Sequence, residues 1–139
     1  NCEMMISVMK RLCLAMTVAS LAASAQAAWD KIGESDDGMV VYADAATIQT
    51  SGGMVKMWAL LDYKAAEKTD AGKPYSSAKL LHDYDCKVER ARTRYFTLHS
   101  GKMGAGSLVY SEVRANSEWL PAQTTIIGES LWKIACGKK

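Results

Sequence analysis

No apolar run in this sequence is long enough to cross a membrane. The best candidate, Leu12 to Ala23, falls short of the about 20 residues that a spanning helix needs. Lys10 and Arg11 precede it, and Ala25 and Ala27 follow in the small-x-small arrangement that signal peptidase reads. Residues 1–27 are therefore expected to be a secretory leader, with Asn1-Cys2-Glu3, ahead of Met4 and Met5, an extension upstream of the true start. Cleavage after Ala27 would leave one domain over residues 28–139. A lipid anchor is also missing from the pattern, because no cysteine lies near Ala27 and Cys13 stands at the beginning of the apolar run. The mature chain is thus expected to carry no membrane anchor, to be exported by the Sec route, and to reside in the periplasm, on the cell surface or outside the cell. Charge of one sign is scarce too: 17 basic residues face 15 acidic ones. That balance excludes the basic footprint of a nucleic-acid partner. There is no internal repeat or low-complexity segment, and no Ser-His-Asp or paired-carboxylate spacing that argues for hydrolysis.

Export changes the cysteine count. Cys2 and Cys13 leave with the leader, and the remaining pair, Cys86 and Cys136, reads as one disulfide in an oxidising compartment. Closing a loop of that size is worth about 4 kcal/mol in the chain-entropy account. A domain this small has a net stability of about 5–15 kcal/mol, so the bridge is a large share of it.

The four tryptophans and six tyrosines all fall after residue 27 and favour β-structure with packed aromatic faces. Strands are expected over Trp29 to Ile32, Met39 to Ala45 and Met54 to Tyr63, the last two joined through a hairpin at Ser51-Gly52-Gly53. In the third strand Val55, Met57, Ala59, Leu61 and Tyr63 form the candidate core face, with Met54, Lys56, Trp58, Leu60 and Asp62 opposite. Lys64 to Pro74 reads as a loop, and Tyr75 to Leu81 as a strand or helical turn. Tyr84 to Leu98 reads as one long strand, Ser100 to Gly106 as its turn, and Ser107 to Val113 as the partner strand. After a loop through Trp119 and Pro121, Thr125 to Ala135 has a helical stripe of Ile127, Leu131, Ile134 and Ala135. Lys133 and Gly137 suit its C-terminus. The expected fold class is α+β: an antiparallel meander of about six strands, a C-terminal helix packed on it, and one disulfide tying the helix end to the long strand.

The densest chemistry is in Leu80 to Phe96, "LLHDYDCKVERARTRYF". His82, Asp83, Asp85 and Cys86 invite a metal or thiol-imidazole reading. On an extended strand, however, His82 and Cys86 would be about 13 Å apart, and a disulfide consumes the thiolate. No catalytic residue, metal site or cofactor is assigned. Arg90, Arg92 and Arg94 recur at every second position, a stripe able to bind carboxylates, sulfated sugars or phosphates. The competing reading is a solvated face whose stems cover aromatics and whose heads pair with acids such as Glu89 or Glu112. The GxxGxG of Gly101 to Gly106 lacks a following helix start and reads as a hairpin turn rather than a phosphate loop. His99 and the tryptophans read as structural.

An ordered set of residues spans nearly the whole mature chain: Trp29, "YADAATI" from Tyr42 to Ile48, Trp58, Asp85-Cys86, Trp119 and Cys136. In this the sequence resembles the surface-adhesin protein E family of proteobacteria. The resemblance implies a small antiparallel sheet with a helix, a Cys86–Cys136 bridge, and a role akin to that of the name-giving outer-membrane adhesin, which binds host matrix proteins. That member is lipid-anchored, whereas the lipobox is missing here. The expected function is an exported, non-enzymatic binding module that recognises a protein or cell-envelope component. Two alternatives are a periplasmic small-ligand or inhibitor protein using a pocket between sheet and helix, and a Cys/His enzyme or metal protein.

Overall fold

A computed structural model describes residues 28–139; the expected leader, with Cys2 and Cys13, lies outside the described residues. The described chain contains β1 (Asp30–Glu34), β2 (Val40–Ser51), β3 (Met54–Lys68), β4 (Pro74–Asp85), β5 (Arg90–His99), β6 (Leu108–Val113), β7 (Leu120–Pro121) and one helix, α1 (Ile126–Ala135). Strands β1 to β6 form an antiparallel meander in chain order, and the two-residue β7 pairs with the start of β5. The architecture is the α+β meander with a C-terminal helix that the sequence suggests. The Ser51 hairpin forms as expected, with Gly52 and Gly53 both at positive φ, a conformation that costs glycine little.

Cross-strand partners share a face, so the register sorts the side chains. Val41 and Ala43 of β2, Val55, Met57 and Ala59 of β3, and Tyr84 of β4 are buried on one face. Helix α1 covers this half of the sheet with Leu131, Trp132 and Ala135. Thr125 caps the helix: its Oγ1 accepts from the Gly128 N–H at 2.9 Å. At the other end the Trp132 indole N–H donates to the Asp85 carbonyl at 2.9 Å. Beside it the Cys86–Cys136 disulfide joins the chain at a Cα separation of 5.5 Å.

The structure corrects four sequence expectations. Tyr84 to Leu98 is not one strand, because β4 ends at Asp85 and a turn intervenes before β5. Asp85 Oδ1 accepts from the Lys87 and Val88 N–H groups, and Glu89 lies at a φ of 52°, so the aspartate builds the turn. The disulfide therefore ties α1 to a hairpin end rather than to the middle of a strand. Lys64 to Pro74 is mostly strand: β3 runs on to Lys68 and β4 starts at Pro74, leaving Thr69 to Lys73 as a tight turn. Between Asp62 and Glu67 the register with β4 slips, with more residues on β3 than on its partner, and the hairpin arm bends there.

Leu60, expected on the outer face, lies on that face yet is fully buried. The 3-10 turn Lys102–Gly104 packs against β3 and β4 over it. The Met103 N–H donates to Asp62 Oδ1 at 2.8 Å, and Ser77 Oγ bridges Gly101 O and Gly104 N–H. Finally, the β4–β5 register shifts between Leu81 and His82, where Tyr95 and Thr93 are the successive partners and Arg94 is the extra residue. This bulge reverses the alternation. Arg90 and Arg92 face away from Phe96 and Leu98, whereas unbroken period-two counting places them together.

Candidate functional site

The bulge at Arg94 and the turn at Asp85 decide what the richest stretch of the sequence becomes. Asp83 and Asp85 lie on the sheet face opposite α1, paired in register with Arg92 and Arg90. Arg90 Nε donates to Asp85 Oδ2 at 3.0 Å and Arg92 Nε to Asp83 Oδ2 at 3.1 Å. Arg94 Nε lies 3.5 Å from the same Asp83 oxygen, and its Nη1 donates to Ala115 O at 3.0 Å. Both carboxylates are buried. The Asp85 carboxyl is held below the usual range, first by the Lys87 main-chain N–H and then by Arg90, against the opposing effect of burial. The guanidinium groups of Arg90 and Arg92 lie 4.8 and 4.3 Å from the Trp119 ring centroid.

The three arginines thus form a ladder with two buried aspartates and one tryptophan. Glu112 and Glu89, the acids that the sequence suggested, are engaged elsewhere. Glu112 accepts from Arg114 and Tyr110, and Glu89 from Gln123. Nothing in the sequence distance between Arg92 and Trp119 announced that contact; it depends on β7 pairing back onto β5.

His82 lies on the other face, away from Asp83 and Asp85, and its Nδ1 contacts Thr93 Oγ1 at 3.2 Å. Burial lowers its pKa to about 4, against weaker opposing effects of the Arg92 main chain and Asp83, so the ring is neutral at physiological pH. Cys86 is occupied by its disulfide. His82, the aspartates and Cys86 are therefore not brought together. Among the described residues no three His, Cys, Asp or Glu side chains are grouped so as to hold a metal ion. His99 Nε2 is 2.8 Å from Thr97 Oγ1, a contact between neighbours on its own strand.

Two concave regions lie on the face that carries α1. The larger, about 640 Å³, occupies the half of the sheet beyond the helix. Its floor is Leu61, Ala78, Leu80, Phe96 and Leu98. The bent β3–β4 arm supplies one wall, with Tyr63, Tyr75, Lys68, Asp70 and Lys73, and β6 the other, with Tyr110 and Glu112 and with Arg114 just past its end. Tyr63 and Tyr75 meet edge to face at 5.5 Å, and burial, ahead of the charges nearby, pushes the Tyr63 hydroxyl up to about 12. The Arg114 guanidinium lies 5.5 Å from the Phe96 ring centroid. The result is an apolar, aromatic floor with a charged rim, open to solvent.

The smaller region, about 430 Å³, lies between the sheet and the first turn of α1. His82, Tyr84, Thr93, Thr125 and Gly128 are among its lining residues. Tyr84 is buried, and its hydroxyl has no hydrogen-bond partner among the described residues. Burial raises its pKa.

Comparison with known proteins adds a family. Residues 29–137 match the family model described as Surface-adhesin protein E. No curated protein sequence matches the chain. Among solved structures, crystal form II of Haemophilus influenzae protein E aligns with a TM-score of 0.64 at 10% identity, over 81% of this chain and 89% of that one. Protein E from non-typeable Haemophilus influenzae aligns with a TM-score of 0.58 at 11% identity, over 81% and 79%. At such identities the structural likeness is one of fold.

Proposed function

The chain belongs to the surface-adhesin protein E family, and on that premise we propose that it is an exported, non-enzymatic binding module recognising a protein or a cell-envelope component. The observation that carries this reading is the uncovered half of the sheet. Helix α1 covers one end of the face, while the floor from Leu61 to Leu98 has no element of the described chain over it. Apolar and aromatic surface with a polar rim is the anatomy of a recognition patch. The family name points to a surface partner, and a host matrix protein is one candidate of that kind. Residues 1–27 are assigned here as the leader that delivers the domain.

The test is retention of purified matrix or envelope proteins on immobilised full-length protein. Tyr75→Ala and Lys73→Glu alter the arm wall without reaching the core. Tyr75→Ala is expected to weaken retention about tenfold or more, as loss of an aromatic anchor does, and Lys73→Glu to weaken it less, by reversing a rim charge. Undiminished retention by both variants would remove the groove from the reading, and no retention by the wild type would remove the reading itself. Protease treatment of intact cells separates surface display, which leaves the chain cleavable, from a periplasmic location, which protects it. A second reading, a small-ligand protein, is favoured by the cavity under α1, where the unpartnered Tyr84 hydroxyl and neutral His82 offer polar contacts in an apolar wall.

A further inference from the structure

Strand β6 ends the sheet with its outer side bare. It pairs only with β5, and no backbone hydrogen bond from any other described element reaches that side. The opposite edge is covered: Ile127 of α1 packs over β1, so close that a Cβ on Gly33 would lie 3.1 Å from Ile127 Cγ1. Natural edges are blunted by proline, by lysine or by projecting charge. Strand β6 has neither proline nor lysine, its bulge at Val109 precedes the outward groups of Ser111 and Val113, and its one charged residue, Glu112, is engaged by its neighbours. Arg114 Nε donates to Glu112 Oε2 at 2.7 Å, and Tyr110 donates to Glu112 Oε1 at 3.2 Å. Leu108 and Val113 are 59% and 72% exposed, and Tyr110 is 44% exposed.

The direction of the bare groups follows from one bond. The Arg114 N–H donates inward to Arg94 O at 2.7 Å. Peptide groups alternate along an antiparallel strand, so those of Ser111 and Val113 point outward. Tyr110 and Glu112, with Arg114 just past the end of the strand, also form the β6 wall of the large groove. A strand added to β6 would therefore extend the wall of that groove.

We infer that β6 binds an extended segment of a partner polypeptide by strand addition, a deepening that rests on the binding-module reading above. The main-chain groups of Ser111 and Val113 would pair with the segment. Its alternate side chains would lie against Tyr110 on the groove side and against Leu108 and Val113 on the other. The matching segment is rich in β-branched or aromatic residues and has no proline at paired positions. A second copy of this chain is a poorer occupant. Six residues make a strip about 20 Å long and one strand wide, well below the about 800 Å² per partner of a stable dimer. An unlike segment gains the groove wall as well.

The probe is a displayed library of random peptides about ten residues long, selected on the full-length protein. Selected peptides are expected to alternate β-branched or aromatic residues and to slow hydrogen exchange at the Ser111 and Val113 amides. Ser111→Pro removes one outward N–H while leaving the inner ladder intact, and is expected to weaken the selected peptide about tenfold. Val113→Lys, on a mostly exposed side chain, charges the edge without touching the core and is expected to weaken binding comparably. Three results overturn the inference: no peptide selected, peptides that protect other amides and tolerate both variants, or protection of Ser111 and Val113 that rises with protein concentration alone, the mark of a second copy. If matrix or envelope proteins are retained equally by wild type, Ser111→Pro and Val113→Lys, strand addition falls while the binding-module reading stands.

Discussion

At the scale of single residues, burial decides the chemistry of the stretch from His82 to Arg94. His82 has its pKa lowered to about 4 from an ordinary 6.5. Above pH 6.5 the ring is neutral whether the chain is folded or unfolded. As pH falls from 6.5 towards 4 the unfolded chain takes up a proton that the fold refuses, so stability declines across that window and levels below it. The decline is about 3 kcal/mol at most, from the size of the shift. Urea unfolding at stepped pH should show this slope, and His82→Gln should flatten it. Carboxylates held low, such as Asp85 and Glu112, act in the same direction but further into the acid range, their contribution being lost as pH falls below the ordinary carboxylate values. Asp83 permits a second expectation. Its Oδ2 serves both Arg92 and Arg94, so Asp83→Ala leaves two partly buried cations without a counter-charge. The cost should be about 2 kcal/mol, less than the 3–5 of a fully buried pair because the guanidinium groups still reach solvent. If the ladder is chiefly structural, Arg90, Arg92 and Arg94 replaced together by Gln should lower stability and leave heparin retention unchanged. Loss of retention in a folded variant would instead assign the arginines to polyanion binding.

Elements are held here by their ends. Helix α1 is only ten residues long, too short to persist alone. Thr125 closes its first turn, and the Trp132 bond to Asp85 and the disulfide fix its last. Reduction should lower the unfolding free energy by about 4 kcal/mol in the chain-entropy account, and amides of α1 should lose exchange protection before those of β3 and β4. Equal unfolding midpoints with and without reductant would contradict this. Gly128 offers a sign reversal. Alanine normally gains about 1 kcal/mol over glycine within a helix. A Cβ on Gly128, however, would lie 2.7 Å from the Ala122 carbonyl oxygen, which is main chain and cannot swing aside. Gly128→Ala should therefore destabilise the protein by about 1–2 kcal/mol, the usual cost of overpacking. A gain in thermal stability would show that the Ala122 segment yields.

For the whole molecule, local chemistry was legible wherever one residue type determines the outcome: the Ser51-Gly52-Gly53 turn, the helical stripe of α1 and the pairing of Cys86 with Cys136. Features that need two distant partners were not, the disulfide excepted, because only two cysteines follow residue 27. The bulge at Arg94 is invisible to period-two counting, since an extra residue in one strand is defined only by the register of the other. The burial of Leu60 depends on a 3-10 turn more than forty residues later. The open groove depends on where a short helix stops and a long hairpin bends. The leader assignment, by contrast, lives wholly in residues 1–27 and meets the fold at a definite place. Strand β1 begins at Asp30, which pairs with Ala43, and its next residue, Lys31, pairs with Tyr42. Cleavage after Ala27 keeps both pairs. A cut two or more residues beyond Ala28 would begin to strip β1 from the sheet and uncover the edge of β2, where Val41 and Ala43 are buried. N-terminal sequencing of the exported protein should therefore read Ala28-Trp29-Asp30, with Cys86 and Cys136 unreactive to thiol reagents. The same chain held in the cytoplasm should show both thiols free and the lower stability of the reduced form. An exported product that starts within β1, or that carries free thiols, would contradict the assignment.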